Sequence, residues 1–252
     1  MVNIIVGDNV IENVKLCVFD KDGTLIDLYN YWSNMIGLRA EELCVVYGLD
    51  RDMHKKNLMF CMGVDVSRHR LRPEGPVGLL PRVAVQRAAE VYLENLGLEK
   101  VSRSCFDVFK KVDQISLSRL DAFIKPLAGS RELLTIIKDK GCKIAIATTD
   151  KTERAELAVN FLKWGHLIDV IIGADKVKKS KPDPEMLELI AKRMNVHPNM
   201  SIMIGDTRTD VLTGINARFK ASIGLCSGLS SKNELVKLTQ YVVKDVLQIR
   251  VK

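Results

Sequence analysis

From about residue 126 onward, short apolar runs alternate with helical patterns, and this alternation limits the fold more than any other feature of the chain. The apolar runs are 142–147, 167–172, 201–204, 221–225 and 241–243. Helical spacing covers 130–140, 152–162, 184–194, 209–217 and 232–238. Strands separated by helices pair side by side in parallel, and the helices cover both faces of the sheet. A further apolar run, Leu16-Cys17-Val18-Phe19, lies far upstream and reads as one more buried strand. The expected fold is therefore α/β, with a Rossmann-like parallel sheet as its core.

Between these two parts the pattern changes. Ile36, Ala40, Leu43 and Tyr47 form one apolar stripe at helical spacing, and Val85, Ala89, Tyr92 and Leu96 form another. Strand signals are few, and the stretch 67–76 is a locally basic loop containing Arg68, Arg70 and Arg72. The expected organisation is a core domain made of 1–27 and 126–252, with a helical domain, 28–125, inserted after the first strand. A chain of 252 residues is long enough for both.

Composition narrows the classes of function. Hydrophobic residues make up 47% and charged residues 27%, as in a globular chain. No apolar run approaches the ~18 residues of a membrane span, and residues 1–8 carry no basic leader, so no secretory signal is expected. The net charge of +7 is spread over the chain, with 15 Lys/Arg against 12 Asp/Glu in 28–125 and 23 against 19 elsewhere. A nucleic-acid binder more often concentrates its charge in an aromatic-interleaved stripe. Neither nucleic acid nor membrane is an expected partner, whereas a mild positive field suits a small anionic metabolite. The six cysteines are scattered without a CxxC pair, which points away from zinc and towards a reducing, cytoplasmic setting.

In open parallel sheets, ligands bind beyond the carboxyl ends of the strands. Asp20-Lys21-Asp22-Gly23-Thr24-Leu25 follows the first strand, and Thr148-Thr149-Asp150 follows the run 142–147. Lys181-Pro182-Asp183-Pro184 lies in the loop after 167–172, and Gly205-Asp206-Thr207-Arg208-Thr209-Asp210 follows 201–204. Taken singly, each has an ordinary explanation. An Asp and a Gly close a turn, Thr148 caps a helix, Lys181 is a solvated loop residue, and Asp206 and Asp210 favour a helix N-terminus. Together they would bring two paired carboxylates, an ammonium, a hydroxyl and two more carboxylates to one edge of the sheet.

In this order and spacing the four motifs resemble those of the haloacid dehalogenase-like superfamily, across about 12–27 and 126–245. The resemblance implies a phosphatase in which Asp20 is the nucleophile and Asp22 is the general acid and then the base. It implies Mg²⁺ held by the Asp20 carboxylate, the Asp22 main-chain carbonyl and Asp206, with Asp210 in support. Thr148 and Lys181 are assigned to the phosphoryl group, and Thr149 and Gly23 are further candidates beside them. An acid at position 22 is useful where a leaving alkoxide needs a proton, and in the superfamily Asp there accompanies phosphatases and phosphomutases.

The pattern looks most like the phosphoglycolate phosphatase branch, with a small phosphate monoester as substrate. The insert resembles the family's mobile cap, and the arginines of 67–76 are candidates to meet a second anionic group of the substrate. Three alternatives stay open. One is a phosphomutase of the β-phosphoglucomutase type, disfavoured because Asp27-Leu28-Tyr29-Asn30 has no histidine. The others are a non-catalytic sensor of phosphorylated ligands and a nucleic-acid end phosphatase.

Overall fold

The computed structural model describes residues 1–72, 74–78, 80 and 82–252. Its contacts divide the chain into two compact units, Met1–Asp27 with Pro126–Lys252, and Leu28–Lys125. The first unit begins with strands β1 (Val2–Val6), β2 (Asn9–Val14) and β3 (Leu16–Phe19).

The inserted unit contains α1 (Leu28–Tyr47), α2 (Arg51–Met62), a short hairpin of β4 (Val64–Asp65) and β5 (Arg70–Leu71), α3 (Arg82–Glu94), α4 (Val101–Ser118) and α5 (Leu120–Phe123). The stripe Ile36, Ala40 and Leu43 is buried on α1, and Val85 and Ala89 are buried on α3, whereas Leu96 lies beyond the end of α3 and is exposed. Arg39 is buried within the insert. It donates to Asp113 Oδ1 at 2.8 Å and lies over the Phe109 ring at 4.2 Å. Of the 67–76 loop, Arg70-Leu71 pairs antiparallel with Val64-Asp65, and Pro73 lies outside the described residues.

The chain then returns to the first unit through α6 (Ser130–Asp139), β6 (Lys143–Ala147), α7 (Thr152–Phe161), β7 (Val170–Ile172), α8 (Glu185–Met194), β8 (Ser201–Gly205), α9 (Arg208–Asn216), β9 (Ala221–Leu225), α10 (Lys232–Leu235), β10 (Val242–Val243) and β11 (Ile249–Val251). Five of these strands join β3 in one six-stranded parallel sheet, in the order β10-β9-β8-β3-β6-β7. β3 lies at its centre, between the strands that carry the second and fourth motifs. The run 167–172 supplies only Val170–Ile172 to the sheet, because Leu167 is held in a turn by its N–H donating to the Trp164 carbonyl at 2.8 Å.

Alternation along β3 explains its position. Leu16 and Val18 point to one face and pack with Ala145, Ala147 and Met203 against Met186, Leu187, Ile190 and Ala191 of α8. All four β3 residues are buried, as expected for a central strand covered on both faces. α8 buries a stripe at i, i+1, i+4 and i+5. Glu185 and Glu188 stand in its first turn and Lys192 and Arg193 in its last, matching the helix dipole. It ends at Asn195, which is left-handed at φ 49°. Each fully buried Leu or Ile at this layer contributes about 1.5–3 kcal/mol.

β1, β2 and β11 form a separate three-stranded antiparallel sheet that the alternation pattern does not reveal. Among the described residues no helix is long and apolar enough to cross a membrane.

Candidate active site

The register of the central strands sets the geometry. Phe19 lies opposite Ile146 on one side and Ile204 on the other. The residues that follow each strand therefore emerge together at the same edge, with Asp20 beside Ala147 and Gly205, and with Thr148 and Asp206 one residue further on. The Asp20 N–H donates to the Ile204 carbonyl at 2.8 Å, so the nucleophile candidate still has its backbone tied into the sheet.

Lys181 binds these ends together. Its ammonium is fully buried and donates to Asp20 Oδ1 at 2.7 Å, Asp210 Oδ1 at 2.6 Å and the Ala147 carbonyl at 2.7 Å. The Lys181–Pro182 peptide is cis. Burial works against the ammonium, but Asp20 and Asp210 outweigh it and hold its pKa above the usual lysine value. Burial pushes the Asp20 carboxyl up to about 7, reinforced by Asp210 and Asp22 and opposed by Lys181.

Asp206 is held in a tight slot. Its Oδ1 accepts from the Thr24 hydroxyl at 3.0 Å and its Oδ2 from the Leu229 N–H at 3.0 Å. Burial, together with Asp20 and Asp210, raises its pKa well above the carboxylate range. Gly23, at φ 88°, and Gly228 flank it so closely that a Cβ would sit 2.5 Å and 1.8 Å from Asp206 Oδ2. Gly23, a candidate phosphate contact in the sequence, therefore also serves to make room for this carboxylate.

Asp210 belongs to the start of α9. Thr207 caps the helix by accepting from the Asp210 N–H at 3.1 Å, while Asp210 Oδ2 accepts from the Thr207 N–H at 3.0 Å and from its hydroxyl. With Lys181 on its Oδ1, Asp210 has both oxygens engaged.

Thr148 is buried, its N–H donates to the Ile172 carbonyl at 3.0 Å, and its hydroxyl accepts from the Asp150 N–H at 3.1 Å. Thr149 beside it is exposed. Asp22 sits on the turn after β3, a quarter exposed, with the Lys21 ammonium on its carboxylate. Sequence reading missed Lys21, Ser227 and the 227–229 loop. Ser227 donates to the Gly23 carbonyl at 2.7 Å. No local sequence signal flags Lys21, because its burial appears only in the folded chain.

Asp20, Asp206 and Asp210 offer carboxylate oxygens within 4.8 Å of one another, all buried. Among the described residues these three carboxyl groups share the Lys181 ammonium, and ionising all of them together would leave excess negative charge for a cation to offset. An all-oxygen donor set of this kind suits a hard divalent cation such as Mg²⁺.

In the inserted unit, the three arginines of the basic loop differ. Arg72 lies over the Phe60 ring at 4.0 Å and donates to the Phe60 carbonyl at 2.9 Å. Arg68 and Arg70 lean on Asp65 at 3.9 Å and 4.0 Å and remain largely exposed.

The family model for haloacid dehalogenase-like hydrolases matches residues 14–218. The chain belongs to this family. A phosphorylated carbohydrates phosphatase of Thermotoga maritima is 26% identical over 224 residues, 89% of this chain and 91% of the relative. The pyrophosphatase PpaX of Bacillus cereus is 26% identical over 134 residues, but the match spans only 62% of that relative and 48% of this chain. Among solved structures, a candidate β-phosphoglucomutase from Thermotoga maritima superimposes with a TM-score of 0.65 at 23% identity, covering 92% of this chain and 94% of the other. A predicted phosphoglycolate phosphatase from Haemophilus somnus gives 0.66 at 17%, covering 93% and 96%. These two likenesses establish the fold and no more.

Proposed function

We propose that the chain is a Mg²⁺-dependent phosphatase that hydrolyses a small phosphate monoester through an aspartyl-phosphate. The observation that carries this reading is the buried Lys181 bridge between Asp20 and Asp210, with Asp206 alongside and Asp22 on the adjoining turn.

Asp20 attacks the phosphorus, an Asp20 oxygen–phosphorus bond forms, and the bond to the leaving oxygen breaks. Asp22 gives its proton to that oxygen. Asp22 then takes a proton from the water that attacks the phosphorus, releasing phosphate and restoring Asp20. Lys181 and the Thr148 hydroxyl face the charge carried by the phosphoryl oxygens. A magnesium ion would be held by the Asp20 carboxylate, the Asp22 main-chain carbonyl and Asp206, supplying positive charge between nucleophile and phosphate. Asp210 keeps Lys181 and Thr207 in place. Thr149 and Gly23 remain candidate neighbours of the phosphate.

We assign the substrate to small phosphorylated metabolites. Phosphoglycolate is one member of that class, and the curated relatives' names span phosphorylated carbohydrates and pyrophosphate. The insert 28–125 is assigned the role of a specificity cap, and the cytoplasm is the expected setting. Phosphate release from a panel of monoesters, with and without Mg²⁺, should be metal-dependent and lost in Asp20→Asn. An isomeric sugar phosphate in place of free phosphate would point to a mutase, and no turnover at all would overturn the reading.

A further inference from the structure

We propose that Lys21 is a positioning residue that holds the Asp22 carboxyl in the orientation it needs as proton donor and acceptor, a role that rests on the reading of Asp22 given above. Lys21 lies between the two acids of the first motif, where a long basic side chain would ordinarily turn to solvent. Instead its side chain is 5% exposed. Its ammonium reaches both Asp22 oxygens, at 2.9 Å and 2.8 Å, and Asp150 Oδ2 at 3.4 Å.

The backbone of this turn is already fixed without the ammonium. The Lys21 carbonyl accepts from the Leu25 and Ile26 N–H groups at 2.9 Å and 3.0 Å, and Gly23 N–H donates to the Ile26 carbonyl at 2.8 Å. Ser227 closes the turn from outside at 2.7 Å. The freedom left to Asp22 is the rotation of its side chain. Among the described residues, only Lys21 bonds to that carboxylate. A quarter-exposed aspartate without this contact would sample several rotamers, and one of them must point at the leaving oxygen.

The far anchor is also rigid. Asp150 Oδ1 accepts from the Lys151 N–H at 2.8 Å, the Asp150 N–H donates to the Thr148 hydroxyl at 3.1 Å, and its carbonyl accepts from the Ala174 N–H at 2.9 Å. Lys21 thus ties the acid to the loop that carries the phosphate-facing Thr148.

The leaving group separates positioning from mere structural support. Proton donation matters for an alkoxide and little for p-nitrophenolate, which leaves without help. The experiment measures kcat/KM for an alkyl phosphate monoester and for p-nitrophenyl phosphate in the wild type, Asp22→Asn, Lys21→Met and Asp150→Ala, with thermal unfolding of each. Asp22→Asn should lose about 10²–10⁴-fold on the alkyl ester and far less on the aryl ester. Lys21→Met should lose about tenfold on the alkyl ester, a fraction of that effect, and no more than about twofold on the aryl ester. Asp150→Ala should show the same skew to a smaller extent, and it decides the matter if Lys21→Met does not fold. An equal loss on both esters would make Lys21 structural and overturn the proposal, as would no loss on either. If Asp22→Asn itself shows no dependence on the leaving group, the acid role of Asp22 fails and the proposal fails with it.

Discussion

Gly228 offers a sharp test of how the acidic cluster is held. In Gly228→Ala, the new methyl would lie 1.8 Å from Asp206 Oδ2, 2.3 Å from Cγ and 2.8 Å from Cβ. Ordinary contact begins near 3.4 Å, so the two groups must separate by about 1.6 Å. Asp206 has nowhere to retreat. Gly23 backs the same oxygen, with room for a Cβ only 2.5 Å away, and Thr24 holds Oδ1 at 3.0 Å. The 227–230 loop is half-buried and must yield, which breaks the Leu229 N–H bond to Asp206 and the 3.2 Å bond from Ser230 N–H to the Asp206 carbonyl. Gly228 is not in the left-handed region, so the effect is steric and not backbone strain. A misplacement on the order of 1 Å costs about 10²-fold in rate. Overpacking costs about 1–3 kcal/mol, and Tm falls roughly 2–4 °C for each of these. The assay is kcat/KM with a Mg²⁺ titration and a melting curve. Gly165→Ala is the control, because its Cβ would meet only Asn160 Oδ1 at 3.7 Å. The expected result is a ~10²-fold loss and a higher Mg²⁺ requirement for Gly228→Ala, with Gly165→Ala within about twofold of the wild type. A Gly228→Ala enzyme with unchanged kcat/KM and metal requirement would refute the slot.

Three further outcomes follow from the same geometry. Lys181→Met leaves the buried Asp20 and Asp210 carboxylates facing each other, and chemical denaturation at neutral pH should show a loss of about 3–5 kcal/mol along with the activity. Mg²⁺ at tenfold its Kd should stabilise the chain by about 1.4 kcal/mol if it binds the native cluster alone, and Asp206→Asn should remove most of that gain in the melting curve. Asp175 is held down to about 2 by hydrogen bonds from the Thr152 N–H and hydroxyl. Because its folded pKa lies below the ordinary 3.8, its contribution is present above 3.8 and is lost as pH falls through about 2. Asp175→Asn, which mimics the protonated form, should therefore melt below the wild type at pH 6, and the gap should narrow between those two values.

What was legible in the sequence is what local pattern and strand ends determine. Leu16–Phe19 is apolar throughout because β3 is covered on both faces, and parallel register then brings Asp20, Thr148 and Asp206 to one edge. Helix limits were read to within a turn on α6 and α9, where Thr207 and Asp210 form a cap box. The three-stranded sheet was not legible because β1 pairs with β11 from the opposite end of the chain, and no local pattern records that contact. The role of Gly228 was hidden for a similar reason, since its meaning lies in an approach to Asp206 that only the folded chain makes. Lys21 is not legible because a lysine beside acids usually indicates a solvated pair, and its contact with Asp150, far along the chain, is made only on folding.

The central claim is that Asp20 becomes phosphorylated. The most direct measurement is to quench the enzyme with Mg²⁺ and a turned-over monoester, reduce with borohydride, and locate the modified residue by peptide mass spectrometry. Reduction of an acyl phosphate converts the aspartate to homoserine. The account predicts homoserine at position 20 in the wild type and none in Asp20→Asn or without substrate. An unmodified Asp20 in an enzyme that is turning over, or modification at another residue, would contradict it.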